Sequence, residues 1–144
     1  KKKYDIILSL SELEHKLNPD LFLKSLKKIL KKNGYLVLRI PNYFNIYKFL
    51  LGDNFLRYDF RSSHNYYFSE KNLDLLFSKL NFKTIKKIGM NEYSFNHLLT
   101  YLKTKKRVSS NKVINFFNQK YDNDLVFNVE KNMISTSLLY ILSY

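Results

Sequence analysis

Two apolar runs stand out early in the chain, Ile6-Ile7-Leu8 and Tyr35-Leu36-Val37-Leu38-Arg39-Ile40. Runs that are apolar on both sides suit strands of a buried parallel sheet better than a half-solvated antiparallel one. Between them, Asn18 is a natural helix cap, Pro19 takes the first helical position and Asp20 the first turn. Each satisfies or tolerates the unpaired amides of a helix start. Phe22, Leu26, Ile29 and Leu30 then recur at helical spacing, while Lys24, Lys27, Lys28, Lys31 and Lys32 face away. Gly34 is expected to stop this helix. A strand–helix–strand unit of this length crosses over right-handedly into a parallel sheet. The loop of residues 9–18 then lies at the carboxyl edge, where open α/β sheets bind ligands.

Residues 43–68 form a long connection dense in Tyr and Phe, including Tyr43, Tyr47, Tyr66 and Tyr67. Such aromatic density argues against disorder, and a connection this long in a compact domain is commonly functional. It is either a roof over a pocket or a satellite hydrophobic cluster, and the pattern leaves both open. Ile46, Tyr47, Phe49 and Leu50 suit a short helix ended by Gly52-Asp53-Asn54. Ser69 caps a further helix with a Leu73, Leu76, Phe77, Leu80 stripe. Residues 82–88 alternate as an edge strand whose lysines discourage pairing with other chains. Helices are expected at 91–102 and 111–121, with a basic loop at 103–110 between them. The pattern predicts one α/β domain with strands near 5–10, 35–40, 82–89 and 134–142. The first two should be parallel.

The string DIILSLSELEH, then NP, then ILKKNGYLVLRIPN resembles the second half of a class I S-adenosylmethionine (SAM)-dependent methyltransferase. There an acidic–His pair follows the fourth strand and a Lys-Lys/Pro-Gly turn precedes the fifth. His64, Tyr67-Phe68-Ser69 and the Asn72–Phe82 stretch are similar to a segment of the ubiquinone-type and sugar-modifying subgroup. Asn81 replaces that subgroup's usual Gly, and Asn tolerates the left-handed conformation such a position often needs. The resemblance implies a Rossmann-like sheet represented by its last four strands, the final one antiparallel to its neighbours, with helices on both faces and SAM as cofactor. It also implies a small-molecule or saccharide methyl acceptor beneath the aromatic connection, touching Tyr43, Tyr47, Tyr66 and Tyr67. Cofactor contacts fall on Ser9, Leu10, Ser11 and Glu14, the edge of the pocket. The family's glycine-rich cofactor loop has no counterpart here, since Gly34, Gly52 and Gly89 are the only glycines. The chain therefore reads as the C-terminal part of a methyltransferase domain. It would pair with a missing N-terminal half, or with a second copy through an exposed sheet edge. A non-catalytic or split subunit docking on a cofactor-carrying partner is the alternative.

Composition trims the other classes. The net charge of +13 invites a nucleic-acid reading, but it comes from 21 Lys and only 4 Arg, spread through every segment. Recognition of phosphates and bases favours Arg. The absence of Ala beside abundant Lys, Asn, Ile, Tyr and Phe is what an AT-rich genome imposes on any protein. A basic nucleic-acid adaptor is thus the weakest alternative. With no cysteine there are no disulfides or thiolate sites. No apolar stretch approaches the roughly 20 residues that span a bilayer, no signal peptide is visible, and a cytoplasmic location is the default.

Methyl transfer from a sulfonium is an in-line displacement, so alignment supplies most of the acceleration. A hydroxyl or amine acceptor also benefits from a base within hydrogen-bond reach. His15, beside Glu14 in the carboxyl-edge loop, suits that role because imidazole titrates near neutrality. Bracing of the loop by Glu14-His15 is the alternative. His64 is the second catalytic candidate, and His97 is assigned no role. Scattered as they are with Glu12, Glu14 and Asp59, the histidines define no metal site in the sequence.

Overall fold

The computed structural model describes residues 2–144. Strand β1 (Tyr4–Leu10) leads through a 3-10 turn at Leu13–His15 into helix α1 (Pro19–Ile29), and β2 (Leu30–Pro41) follows. Two short helices, α2 (Ile46–Leu51) and α3 (Asn54–Asp59), precede α4 (Glu70–Lys79) and β3 (Lys83–Met90). Helices α5 (Phe95–Thr104) and α6 (Gln119–Lys131) and strand β4 (Ser137–Ser143) complete the chain. The four strands form one sheet in the order β1-β2-β4-β3. β1 runs parallel to β2, as the pattern predicts, and β4 is antiparallel to both β2 and β3, as the resemblance implies.

The caps read from the sequence hold. Asn18 accepts from the Leu21 amide at 3.0 Å, and Ser69 accepts from the amide of Asn72. Gly52 ends α2 with a positive φ, and Asn81 adopts the left-handed conformation expected of it. Gly34 does not do what the sequence suggests. α1 already ends at Ile29, and Leu30 turns the backbone extended. Gly34 lies within β2, where an added Cβ would stand 2.7 Å from the Asp5 carbonyl oxygen. Its role is close backbone approach between the parallel strands, not a left-handed stop.

The C-terminal helices are displaced from their expected places. The expected 91–102 helix begins later, at Phe95, behind a Ser94 cap. The helix expected at 111–121 starts only at Gln119, as α6, and the stretch before it holds a 3-10 turn at Ser110–Lys112. The amides of Phe116 and Phe117 both bond to Asn96 Oδ1, and that of Ile114 to Thr100 Oγ1. Side chains of α5 have taken the donors that a helix there would use. The strand expected at 134–142 is β4, shifted to start at Ser137. β3 is an edge strand as anticipated, with a register shift between Thr84 and Lys86 that breaks the simple alternation.

One core joins α1 and α4 to a single face of the sheet. Leu23, Leu73 and Phe77 pack on Leu36, Leu38, Ile40, Leu138, Tyr140 and Leu142, all fully buried. The Phe77 ring meets Tyr140 edge-on with centroids 5.0 Å apart. Truncating a buried ring of this kind leaves a cavity, so Phe77→Ala should destabilise the fold by about 3–5 kcal/mol. Chemical denaturation of the two proteins checks this, and a loss under about 1 kcal/mol would place Phe77 outside the core. The other face is barely covered at β1: Ile6, Leu8, Leu10 and Tyr35 point to it and are exposed.

A second, smaller cluster lies away from this core. Tyr47, Leu51, Phe55, Tyr58 and Leu98 bring α2, α3 and α5 together. This is the satellite cluster weighed for the aromatic connection, and it accounts for α2 and α3. Among the described residues no helix is long and apolar enough to cross a membrane.

Candidate active site

The site is built where β1 ends. Ser11 leaves the strand with a positive φ, and its amide bonds to the Arg39 carbonyl at 2.9 Å. Arg39 in turn donates from Nη2 to Ser11 Oγ at 2.8 Å. The chain then tightens into the 3-10 turn at Leu13–His15. Leu13 drives this local fold by burying completely in the main core, and Glu14 is carried inward beside it.

Residues 61–67 close over the turn. The Glu14 carbonyl accepts from the amides of Asn65 and Tyr66, at 2.8 and 3.2 Å. Asn65 Nδ2 donates to the His15 carbonyl at 2.8 Å, and Tyr66 Oη to that of Leu17 at 3.1 Å. His15 Nδ1 lies 2.8 Å from the Ser63 carbonyl. A carbonyl only accepts, so Nδ1 carries the proton and Nε2 is left with a lone pair in the neutral ring. Nε2 stands 3.9 Å from Glu14 Oε1. His64 meets His15 edge-on, with ring centroids 4.8 Å apart.

The loops thus assemble what the sequence left dispersed. Glu14, His15 and His64 each offer a ligand atom, and the three lie within 4.8 Å of one another. Glu14 is 1% exposed, and neither of its carboxylate oxygens has a hydrogen-bond partner. Burial pushes its carboxyl pKa up, partly opposed by the nearness of its own backbone amide and by His15. Burial likewise pushes the His64 imidazole down, with His15 adding to the effect.

The aromatic candidates divide. Tyr67 lies 5.4 Å from His64 and stacks on Phe60 at 5.8 Å. With Tyr43, Phe55, Leu56 and Phe60 it lines a cavity of about 310 Å³. The Lys48 ammonium sits 3.3 Å from the centre of the Tyr43 ring. Tyr47 is fully buried in the satellite cluster, its hydroxyl donating to the Tyr93 carbonyl at 2.5 Å, so it cannot touch a ligand. Tyr66 faces a separate groove beside Leu17, Pro19 and Phe68. Of the cofactor candidates, Ser9 is buried with its hydroxyl unpartnered, Leu10 is exposed, and Ser11 is tied to Arg39. Glu14 turns toward the histidines instead of the outer edge. His97 serves α5, its amide and ring bonded to the Ser94 side chain.

Arg39 was not among the sequence candidates. Its Nε is buried without a partner, and Nη1 approaches Glu92 at 3.9 Å. An arginine interrupting the apolar run of residues 35–40 is the signal that could have found it, because a charge in a buried strand needs a polar partner. Asn42 is a similar case. It is buried just past β2, and its Nδ2 donates to the carbonyls of Met133 and Ser135, which fixes the entry to β4.

The Glu14–His15–His64 group thus lies at the carboxyl end of a parallel strand, beside an aromatic cavity, which is the edge where open α/β sheets bind ligands. Residues 1–87 match the model of the methyltransferase domain family, and the chain belongs to that family. Its fold is that of solved methyltransferases. A SAM-dependent methyltransferase from Archaeoglobus fulgidus is 21% identical, with a TM-score of 0.53 over 99% of this chain and 60% of its own. A SAM-dependent methyltransferase from Thermotoga maritima is 15% identical, with a TM-score of 0.60 over 98% of this chain and 56% of its own. The complex of the Haloferax volcanii Trm112 methyltransferase activator with a putative methyltransferase matches at 11% identity. Its TM-score is 0.56, over 99% of this chain and 54% of that one. The chain therefore spans less than two thirds of the length of these structures. No curated protein sequence matches it.

Proposed function

We propose that this chain is the acceptor-side part of a SAM-dependent methyltransferase that methylates a small molecule or saccharide. The observation that carries this reading is the Glu14–His15–His64 group at the end of β1, next to the Tyr43–Tyr67 cavity, in a chain of this family. Ser9, Leu10 and Ser11 form the edge of the cofactor pocket, and the upstream part of the domain supplies the glycine-rich loop. An acceptor ring packs between Tyr43, Phe60 and Tyr67, presenting a hydroxyl or amine toward the histidines. His15 Nε2, with its tautomer fixed by Ser63, takes the acceptor's proton as the methyl group arrives.

The experiment uses a polypeptide extended upstream in frame through a glycine-rich motif and supplied with radiolabelled SAM. Label should pass to members of a panel of saccharides and small hydroxylated or amino aromatics. His15→Ala should lower turnover by roughly 10²-fold or more, with SAM affinity changed far less. Unchanged turnover in that variant would return His15 to bracing the loop. No transfer to any acceptor, with SAM bound, would favour the second reading, a non-catalytic subunit. The exposed Ile6–Leu8–Leu10 face favours that second reading, as a surface on which a cofactor-carrying partner docks.

A further inference from the structure

Three electron-pair donors converge at the end of β1 with nothing between them to donate to. Both Glu14 oxygens are buried and unpartnered, and so is His64 Nδ1. His15 Nε2 stands 3.9 Å from the Glu14 carboxylate and keeps its lone pair, because Nδ1–H is committed to Ser63. Burying a carboxylate this thoroughly without a hydrogen bond or ion-paired Lys or Arg is strongly unfavourable, and native proteins resolve it by taking up a proton, by pairing or by coordinating a metal. No Lys or Arg forms an ion pair with Glu14 among the described residues. The Nδ1–H···O=C bond of His15 is also the outer-shell contact that metal-ligating histidines ordinarily make, since it fixes the tautomer and raises the basicity of the other nitrogen.

We propose that Glu14, His15 Nε2 and His64 bind a divalent transition-metal ion of the zinc class. Two imidazoles and one carboxylate suit that class, whereas magnesium and calcium prefer all-oxygen sets. The ligand atoms, within 4.8 Å of one another, would draw in toward the roughly 3.4 Å spacing implied by zinc bonds of about 2.0–2.2 Å. His15 and His64 sit on loops, so rotation of side chains on surface segments suffices. Three protein ligands leave a position open, as in catalytic zinc sites. Tyr67, next to His64, joins that position to the aromatic cavity. The catalytic consequence rests on the methyltransferase reading: an acceptor oxygen at the open position would lose its proton more readily. The metal-bound His15 would then hold the ion and no longer serve as a free base.

Metal-free chain titrated with cobalt(II) should give saturable one-to-one binding with visible d–d absorption, displaced by zinc. Glu14→Gln and His64→Gln should each weaken binding at least tenfold, while His97→Gln leaves it unchanged. Circular dichroism checks that each variant is folded. If Glu14→Gln unfolds, His64→Gln on the surface loop decides. Absence of saturable binding would overturn the proposal in favour of a Glu14 carboxyl that keeps its proton. Binding that survives His64→Gln would overturn it as an adventitious ion. Neither measurement involves SAM, so their failure leaves the methyltransferase reading standing. Failure of methyl transfer, in turn, leaves the metal site standing.

Discussion

Titrated calorimetrically with SAM, the 144-residue chain will show no micromolar binding, and extension upstream through a glycine-rich motif will restore it. A glycine-rich turn lets the backbone and a helix N-terminus approach a nucleotide-like ligand, and an acidic residue beyond it holds the ribose hydroxyls. The three glycines here are all engaged or distant from the site. Gly34 lies against the Asp5 backbone, Gly89 against Glu130, and Gly52 ends α2. On the proposed reading, what remains for the cofactor is the Ser9–Ser11 edge, where the Ser11 hydroxyl is already bonded to Arg39. Micromolar affinity needs about 8 kcal/mol of net binding free energy. Contacts along one edge must first offset roughly 4–15 kcal/mol of lost translational and rotational freedom. Micromolar binding by the 144-residue chain would mean that the cofactor contacts lie within these residues after all.

The second large effect concerns association. Ile6, Leu8, Leu10 and Tyr35 share one face of β1 and β2 and are 60, 65, 49 and 45% exposed. β1 is also an edge strand, with one side of its backbone free for pairing. A contiguous apolar face beside an open edge is a template for another chain. Analytical ultracentrifugation should show the chain self-associating, with the extended polypeptide monomeric. Leu8→Lys should weaken self-association at least about tenfold, the equivalent of roughly 1.4 kcal/mol. Its thermal stability should change little, because the replaced side chain is already in water. A dilute, folded monomer of the unmodified chain would refute the prediction.

The strand–helix–strand unit and its parallel pairing were legible in the sequence because several local signals agree there: two apolar runs, a cap at Asn18, Pro19 at the first helical position and a one-sided lysine stripe. Helix α6 was not legible, because its start depends on partners in α5. Asn96 and Thr100 take the amides of residues 114, 116 and 117, and no local pattern announces that. Gly34 misled for a related reason. A glycine after a helical stripe reads as a stop, whereas here the requirement is the nearness of the Asp5 carbonyl in the neighbouring strand.

The candidate site divides along the same line. That the carboxyl end of β1, with Glu14-His15 at hand, is the candidate site follows from the order of elements along the sequence. That His64 joins them is a tertiary fact. Forty-eight residues separate His15 from Ser63, and only the closing of residues 61–67 over the 3-10 turn makes one cluster of the two histidines and a carboxylate buried with nothing to pair with. The same packing removed Tyr47 from the ligand's reach and left Tyr43 and Tyr67 on the cavity. Local propensity fixes which residues lie at an edge; which side chains face one another across it depends on where distant loops find their hydrogen bonds.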